Sequence, residues 1–358
     1  MSEKDNILKQ SSAPNPKGKS LFGKLLTPLL VVGGLLTAGY FYIFKANVPD
    51  TLKEEFVKIP TGSTLESLSK QLYTEGVITD ESDFNRWAGW LSFQNVRAGK
   101  FKVKPKWSSY DLIKHLQRGE QMTVKVVLNN EKSPFQVAGK MAKVLEADSV
   151  ALISTFLDAK FLDSIGYSKE TLMCLMLPNT YEFYWNTDAR KFVERMLKEH
   201  KKYWNDTRTA KAKAMNMTPD QVVTMASIVE GESNHADERP KVAAAYLNRL
   251  KTNMRLQADP TVQFALMEIE KTASFRRLFY SDYTTQHPYN TYVHDGLPPG
   301  PICMPSVSSI EAVLSPDDNK YVFFCGKPDN SGYHNFAETY EQHQVNVKIY
   351  QQWLASRK

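Results

Sequence analysis

Two glutamates, Glu230 and Glu232, lie two residues apart in the segment IVEGES, which follows an apolar run. A pair of carboxylates commonly cleaves glycosidic bonds, because one protonates the leaving oxygen and the other assists the attacking group. Residues two apart on a helix, however, point about 200° away from each other. We therefore expect Glu232 to act as a single acid and base, with Glu230 buried or supporting it. The alternative is that both are surface glutamates at a helix end.

The motifs of other enzyme classes do not occur in the sequence. The segment GESNH around Glu232 is not a G-x-S-x-G turn, and the seven histidines show no HExxH spacing. The chain has no P-loop and no GxGxxG fingerprint, and Cys174, Cys303 and Cys325 form no CxxC pair. We therefore predict no metal site and no cofactor. The sequence leaves open whether two of the cysteines form a disulfide.

The charge distribution also limits the classes of partner. The 358-residue chain has a formal net charge of +6, and its basic residues are scattered rather than clustered. It lacks the interleaved basic and aromatic residues typical of nucleic-acid binding, so no nucleic-acid partner is predicted. A mild positive charge suits an anionic polymer or a membrane surface. The length predicts two or more structural units.

The clearest element of the sequence is an uncharged apolar run from Leu25 to Phe44. A helix of roughly 20 apolar residues spans a bilayer, and the lysines before this run predict a cytoplasmic N-terminus. We therefore expect a cytoplasmic tail at 1–24, a single transmembrane helix at 25–45, and the rest of the chain outside the cytoplasmic (inner) membrane. A cleaved signal peptide or a buried core helix would be the alternatives, but the aromatic end of the run is unlike a cleavage site.

Residues 46–122 contain two similar short segments that each predict a strand, a turn and a helix. In the first, Ser63 is a candidate N-cap for a helix over LESLSKQLYTEGVI. In the second, Ser108 or Ser109 caps a helix that Gly119 ends. Strand-turn-helix segments of this size resemble LysM-type carbohydrate-binding modules. A small α+β adaptor without glycan binding is an equal alternative.

Residues 123–358 predict an α+β domain whose central helix carries the two glutamates. Thr218 begins a capping box, and the apolar residues from Val222 to Val229 follow at helical spacing, which predicts one buried face and an end near Gly231. The other expected elements are a strand at VKVVL, a helix from about residue 240, a loop-rich stretch at 256–305, a strand at YVFFC and a helix from about residue 337.

Four segments occur in an order that identifies a family: SIVEGES, AAAYLNRLKTNMRLQADPTVQFAL, PYNTYVHDGLPPGPICMP and GYHNFAETYEQHQ. Together they resemble the endolytic murein transglycosylases (the MltG or YceG-like family), and the resemblance covers most of the chain. The sequence departs from the family pattern at Asn179, where the family has Asp, and at Cys303 and Ser306 after GLPPGPI. These changes bear on substrate contacts and not on the catalytic glutamate.

The resemblance implies that Glu232 is the catalytic residue, and the pair Glu232–Ser233 is similar to that of lysozyme-like lytic transglycosylases. The implied reaction cuts the β-1,4 bond between N-acetylmuramic acid and N-acetylglucosamine within nascent peptidoglycan strands and leaves 1,6-anhydro ends. One carboxylate suffices there, because the muramoyl C6 hydroxyl and not water attacks C1. The resemblance further implies a LysM-like module before the catalytic domain, and peptidoglycan synthases or division proteins as partners.

Polar and aromatic residues of the loop-rich segments are candidates to hold the sugar chain. For each of them alone, a turn or packing role is an equal alternative, and Asn248 with Arg249 is alternatively expected to pin the second helix to the groove loops. A structural network is the default for His334. The candidate substrate-binding residues are Glu230, Asn248, Gln257, Asp259, Tyr289, Asn290, Thr291, Tyr292 and His334.

The predicted architecture is therefore α+β: a transmembrane helix at 25–45, a LysM-like α+β module at 46–122 and an α+β catalytic domain at 123–358. Two other functions stay open at this point. A non-enzymatic peptidoglycan-binding or scaffold protein of the cell-wall synthesis machinery would bind strands without cutting them. A hydrolytic muramidase would cut the same bond but yield reducing ends.

Overall fold

The structure is a computed structural model that describes residues 21–272 and 276–357, with the side chains of 21–27 outside the description. Most of the predicted tail at 1–24 therefore lies outside the described residues. The chain divides into two compact units, which meet in sequence between Glu120 and Gln121. Both units combine helices with small two-stranded antiparallel sheets, which confirms the α+β class.

The first unit begins with a long helix over the predicted membrane segment. The helices and strands of this unit are α1 (Leu21–Ile43), β1 (Phe56–Ile59), α2 (Leu65–Thr74), α3 (Glu81–Trp90), β2 (Gly99–Lys102) and α4 (Ser109–Arg118). Within the described ranges, no helix meets the length and apolarity required to cross a membrane.

The two strands of this unit pair with each other, and each is followed by a turn and a helix, as the two strand-turn-helix segments predict. Val57 lies opposite Phe101 in an antiparallel sheet, and helices α2, α3 and α4 enclose one shared apolar core. The pairing is required because a lone strand of four residues cannot satisfy its backbone groups. Thr64, not Ser63, caps α2, and Ser108 caps α4 through a capping box. Helix α3, capped by Asp80, was not anticipated.

The second unit contains the remaining elements. They are β3 (Thr123–Leu128), α5 (Pro134–Ala142), α6 (Ser149–Phe156), α7 (Ala159–Ser164), β4 (Asn179–Tyr184), α8 (Ala189–Tyr203), α9 (Asp206–Ala214), α10 (Pro219–Glu232), α11 (Arg239–Lys251), α12 (Asp259–Glu270), α13 (Val307–Leu314), β5 (Phe323–Gly326), β6 (His334–Ala337) and α14 (Tyr340–Ala355), with 3₁₀ turns at Leu172–Leu175 and Tyr280–Thr284.

Three packed groups make up this unit. Strands β3 and β4 pair antiparallel and share a core with α5, α6 and α8. Helix α10 forms the centre of a second core with α11, α12 and α13. Strands β5 and β6 form a hairpin against which α14 packs. Three free thiols, Cys174, Cys303 and Cys325, are present and none is in a disulfide.

Helix α10 is more deeply buried than the predicted single apolar face. Thr218 caps it through the expected capping box with Gln221, and every residue from Val222 to Val229 is buried. The polar members of this run are tolerated because Thr224 and Ser227 donate their hydroxyls to backbone carbonyls of the same helix, at 2.8 and 2.7 Å. A helix surrounded by other helices places the groups at its C-terminal end in a fixed position.

The stretch 256–305 is less loop-like than predicted, because α12 occupies Asp259–Glu270. Pro260 lies in the first turn of α12, where its missing N–H would have no partner within the helix. Gly231 accounts for how closely α12 approaches α10, since a Cβ added to Gly231 would lie 2.7 Å from Pro260 Cβ. The single predicted strand at YVFFC is half of a hairpin, and residue 337 ends its partner β6 rather than starting the last helix.

Candidate active site

Glu232 is the last residue of α10 and faces a pocket of about 360 Å³. The pocket is formed by α10, α11, the start of α12, the β5–β6 hairpin and α14. Of the sequence-predicted site residues, the structure brings Glu232, Gln257, Asp259, Tyr292 and His334 into this pocket. The other residues lining it are Tyr246, Arg249, Phe324, Cys325, Gly326, His343 and Val347.

The carboxyl group of Glu232 has an unusual electrostatic environment. Burial raises its pKa to about 7, and the nearby carboxylate of Asp259 adds to that rise. The hydroxyl of Tyr246 donates to Glu232 Oε1 at 2.5 Å and, with the charge of Arg249, acts in the opposite direction. With a pKa near neutrality, this carboxyl can both give and take a proton at physiological pH.

Tyr246 and Arg249 come from the middle and end of α11, three residues apart on one face. Both are buried, and burial raises the pKa of Tyr246, so its hydroxyl stays neutral and serves as a donor. Arg249 donates to the carbonyls of Val322 and Leu256 at 2.6 and 2.5 Å, which ties α11 to the segments on both sides of the pocket. The sequence-based expectation that Arg249 pins this helix agrees with these contacts.

Asp259 and Tyr292 form the opposite wall. The hydroxyl of Tyr292 donates to Asp259 Oδ1 at 2.7 Å, and that of Tyr283 reaches Oδ2 at 3.4 Å. Burial and the bond to Asp259 raise the pKa of Tyr292. Gln257 is exposed and has a φ of +51°, which is uncommon for a residue with a side chain. Its backbone N–H donates to the Thr291 carbonyl, so the loop and not the side chain holds this conformation.

His334 lies on β6 and is held by a buried carboxylate. Glu238 accepts from the backbone N–H of His334 at 2.7 Å, and its Oε2 lies 2.8 Å from His334 Nδ1. A carboxylate partner requires the proton on Nδ1, which leaves Nε2 as the ring nitrogen available to the pocket. Ser233, the neighbour of Glu232, also donates to Glu238 Oε2, at 3.0 Å. Ser233 is buried and supports this network instead of facing the pocket.

Glu230 points away from Glu232, as the helix geometry predicts. Its carboxylate lies 3.0 Å from the guanidinium of Arg239, and both side chains are nearly buried. It also accepts from the N–H and Oγ of Ser306 and from Ser309 Oγ. Ser306, one of the departures from the family pattern, is the N-cap of α13. Glu230 thereby joins α10 to α11 and α13.

Four other candidate substrate-binding residues are not brought to the pocket. Asn248 donates to the carbonyls of Asn319 and Tyr321, at 2.8 and 3.1 Å. The fully buried Asn290 donates within its own loop, and the hydroxyl of Thr291 accepts from the N–H of Ala258 at 3.0 Å. Tyr289 is buried against Phe264, with 4.6 Å between ring centroids. These contacts are those of residues that shape the loops.

The pocket residues that sequence reasoning missed are Tyr246, Phe324, Cys325, Gly326 and Val347. A signal for Tyr246 was present, because tyrosine stands out among the alanines and leucines of AAAYLNRL. For the other four, the packing of the β5–β6 hairpin against α14 had to be known first. In the described ranges, no group of three or more His, Cys, Asp or Glu side chains is placed to hold a metal ion.

The fold and the pocket define a mixed α+β protein with an open, polar cleft, in which the carboxyl group of Glu232 has a pKa near neutrality. The sequence profile of the YceG-like family matches residues 57–349, so the chain belongs to the YceG-like family.

Relatives and solved structures agree with this assignment. A protein of Bacillus subtilis named endolytic murein transglycosylase is 26% identical over 330 residues, which cover 88% of this chain and 89% of that protein. A protein of the same name from Streptococcus pneumoniae is 25% identical over 349 residues, and the aligned part covers 89% of this chain but only 62% of the streptococcal protein. The crystal structure of a YceG-like protein from Listeria monocytogenes matches with a TM-score of 0.54 at 29% identity, over 81% of this chain and 97% of that one.

Proposed function

We propose that this protein is an endolytic lytic transglycosylase that cleaves the β-1,4 bond between N-acetylmuramic acid and N-acetylglucosamine within peptidoglycan strands. One observation carries the proposal: Glu232 lines an open pocket, its pKa is raised to about 7, and Tyr246 holds one of its oxygens. The relatives named endolytic murein transglycosylase supply the substrate class.

The reaction needs one carboxyl group that acts twice. The protonated Glu232 gives its proton to the glycosidic oxygen, and the bond from C1 to that oxygen breaks. The resulting carboxylate then takes the proton of the muramoyl C6 hydroxyl while O6 bonds to C1, which forms the 1,6-anhydro ring and restores the acid. A single residue with a pKa near the working pH suits both steps, since it must be protonated for one and ionised for the other.

The other pocket residues have supporting roles in this scheme. Tyr246 occupies Oε1 of Glu232, so Oε2 is the atom left to exchange protons with the sugar. Asp259 raises the pKa of Glu232 and places a negative charge near the carbocation-like centre that develops at C1. Nε2 of His334 is a polar group for a substrate hydroxyl or amide.

The position of Glu230 favours this scheme over a mechanism with two carboxylates. Glu230 is engaged by Arg239, Ser306 and Ser309 on another side of α10, so it does not flank the same bond. A hydrolytic muramidase would need a second group to activate water, and Asp259 is the one pocket carboxylate, among the described residues, that could supply it. The identity of the new chain ends therefore distinguishes the two reactions.

The decisive experiment is product analysis. The detergent-solubilised full chain would be incubated with uncrosslinked glycan strands, and the products analysed by mass spectrometry. We expect internal cleavage and 1,6-anhydro ends, which are lighter than reducing ends by one water. Reducing ends would instead identify a muramidase. Binding without any cleavage, by wild type and Glu232→Gln alike, would identify the scaffold protein that the sequence left open.

We also propose the cellular setting that the sequence predicts. Leu25–Phe44 anchors the protein in the cytoplasmic membrane, the catalytic domain at 123–358 lies outside the cytoplasm, and 46–122 is a LysM-like module. The uncharged apolar run at Leu25–Phe44 supports the anchor. The compact βααβα arrangement of the module supports a small carbohydrate-binding unit. Peptidoglycan synthases or division proteins are the proposed partners.

A further inference from the structure

The junction between α1 and the rest of the first unit is fixed rather than flexible. Ile43 at the end of α1 packs against the core of this unit, and Asn47 is already buried four residues later. The side chain of Asn47 donates to the Asp80 carbonyl and to Ser109 Oγ, each at 2.8 Å, and accepts from the N–H of Asp80 at 2.7 Å. These bonds hold the starts of α3 and α4 next to the end of α1.

A cluster of aromatic rings surrounds this junction. Tyr42 lies 6.3 Å from both Trp87 and Trp90, measured between ring centroids, and Trp87 is 5.6 Å from Tyr110. Phe44 completes the cluster beside Tyr110. The rings therefore come from α1 and the residue that follows it, from α3 and from α4.

The outer members of this cluster are large aromatic residues exposed to solvent. Trp90 is 61% exposed, Phe44 45% and Tyr42 40%. Two cations accompany them: Arg86 donates to the Tyr42 hydroxyl, and Lys114 Nζ lies 5.8 Å from the centre of the Tyr110 ring. An exposed aromatic surface with a basic edge indicates a binding surface.

We propose that this aromatic surface, formed by Tyr42, Phe44, Trp90 and Tyr110, lies in the headgroup region of the lipid bilayer and seats the first unit on the membrane. The proposal rests on the membrane anchor of the proposed function. Its main support is continuity, because the exposed rings follow directly on the apolar run of α1 and surround its outer end. Tryptophan and tyrosine favour the interface, where their rings meet lipid and their polar atoms meet water. Arg86 and Lys114 are then placed to pair with lipid phosphates.

A glycan strand is the other class of ligand that stacks on aromatic rings. The surface fits it less well, because its rings are shared with α1 and lie at the point where the chain would leave the bilayer. A sugar chain bound there would have to displace lipid headgroups. Lipid and glycan should therefore have different effects on the fluorescence emission of Trp90.

The test measures contact between Trp90 and lipid. The full chain would be reconstituted into vesicles of phosphatidylethanolamine and phosphatidylglycerol, with acyl chains that are unbrominated, brominated near the headgroup or brominated near the chain end. Tryptophan emission would be compared for wild type, Trp90→Phe and the control Trp353→Phe, which removes a half-buried tryptophan of α14 in the second unit. Flotation on a density gradient would record vesicle association.

We expect bromine near the headgroup to quench wild-type emission more than bromine near the chain end. Most of that lipid-dependent quenching should disappear in Trp90→Phe and persist in Trp353→Phe. If all three proteins float and quenching is equal in wild type and Trp90→Phe, the proposed contact between the aromatic surface and lipid is wrong, while the membrane anchor is still supported. A wild-type protein that fails to float would overturn both. A Trp90 signal that responds to soluble glycan strands and not to bromolipid would assign the surface to sugar.

Discussion

Removing the Tyr246 hydroxyl should change the pH dependence of cleavage in a predictable direction. In Tyr246→Phe, Glu232 loses the donor that stabilises its charged form at 2.5 Å, so the pKa of its carboxyl should rise above the present value of about 7. A hydrogen bond to a charged group contributes about 1.5–3 kcal/mol, and one pKa unit corresponds to about 1.36 kcal/mol. The expected rise is therefore about 1–2 pKa units.

The direction in which the pH dependence of kcat/KM shifts follows from the step that Glu232 performs first. The free enzyme must carry a protonated Glu232 to release the leaving sugar, so kcat/KM falls as the pH rises through the pKa of Glu232. In wild type this alkaline limb should lie near pH 7, and in Tyr246→Phe it should move to higher pH by about 1–2 units. The measurement is kcat/KM on uncrosslinked glycan strands across the pH range in which the fold is stable.

A matched control separates this effect from the loss of any buried tyrosine hydroxyl. Tyr181 is also buried, and its hydroxyl donates to the Leu177 carbonyl at 2.8 Å in the other core of the second unit. Tyr181→Phe should leave the alkaline limb where it is. An alkaline limb in Tyr246→Phe that stays at its wild-type position, or moves to lower pH, would refute the assignment of Glu232 as the acid.

Four further outcomes test the site and its setting. Glu232→Gln should abolish cleavage. Because folding raises the pKa of Glu232 from 4.5 to about 7, the wild-type protein loses stability as the pH rises across that range. Above pH 7 the Glu232→Gln variant should therefore be more stable than wild type by up to about 3 kcal/mol, which is 2.5 pKa units at about 1.36 kcal/mol each. Thermal unfolding should show no difference between the two proteins below pH 4. Glu230→Gln should destabilise the fold by about 3 kcal/mol, because it removes the carboxylate that neutralises the nearly buried Arg239, yet lower kcat less than Glu232→Gln. A larger kcat loss at unchanged melting temperature would reverse the two roles. His334→Ala should lower kcat/KM by about tenfold, the effect of one lost hydrogen bond of about 1.4 kcal/mol, with an unchanged far-ultraviolet spectrum, and wild-type kinetics would remove His334 from the site. In a cysteine-free background, Asp50→Cys should react with an impermeant thiol reagent in spheroplasts and Ser11→Cys should not; the reverse labelling would overturn the topology.

Local patterns in the sequence were sufficient for the helix that carries the site. The capping box at Thr218 and the spacing of Glu230 and Glu232 are local features of the sequence. The capping box predicts where the helix begins, and regular helix geometry then gives the directions of the two glutamate side chains. The 3.6-residue period alone separates Glu230 from Glu232, and the structure has them bonded to different partners. The assignment of α12 to a loop failed because Asn, Thr, Tyr and Pro residues around it suggested turns, whereas its burial against α10 outweighs local propensity.

The sequence by itself determined the catalytic candidate, the family and the α+β class, since these depend on residues close together in the chain and on long ordered motifs. Only the tertiary structure decided which polar residues share the pocket with Glu232. Tyr246 lies 14 residues from Glu232 and His334 is held by a carboxylate 96 residues away, while Asn290 and Thr291, adjacent to Tyr292, turn into the interior. The physical reason is that a pKa and a pocket arise from packing between elements, and the environment that raises the pKa of Glu232 does not exist until α11, α12 and the β5–β6 hairpin close around the end of α10.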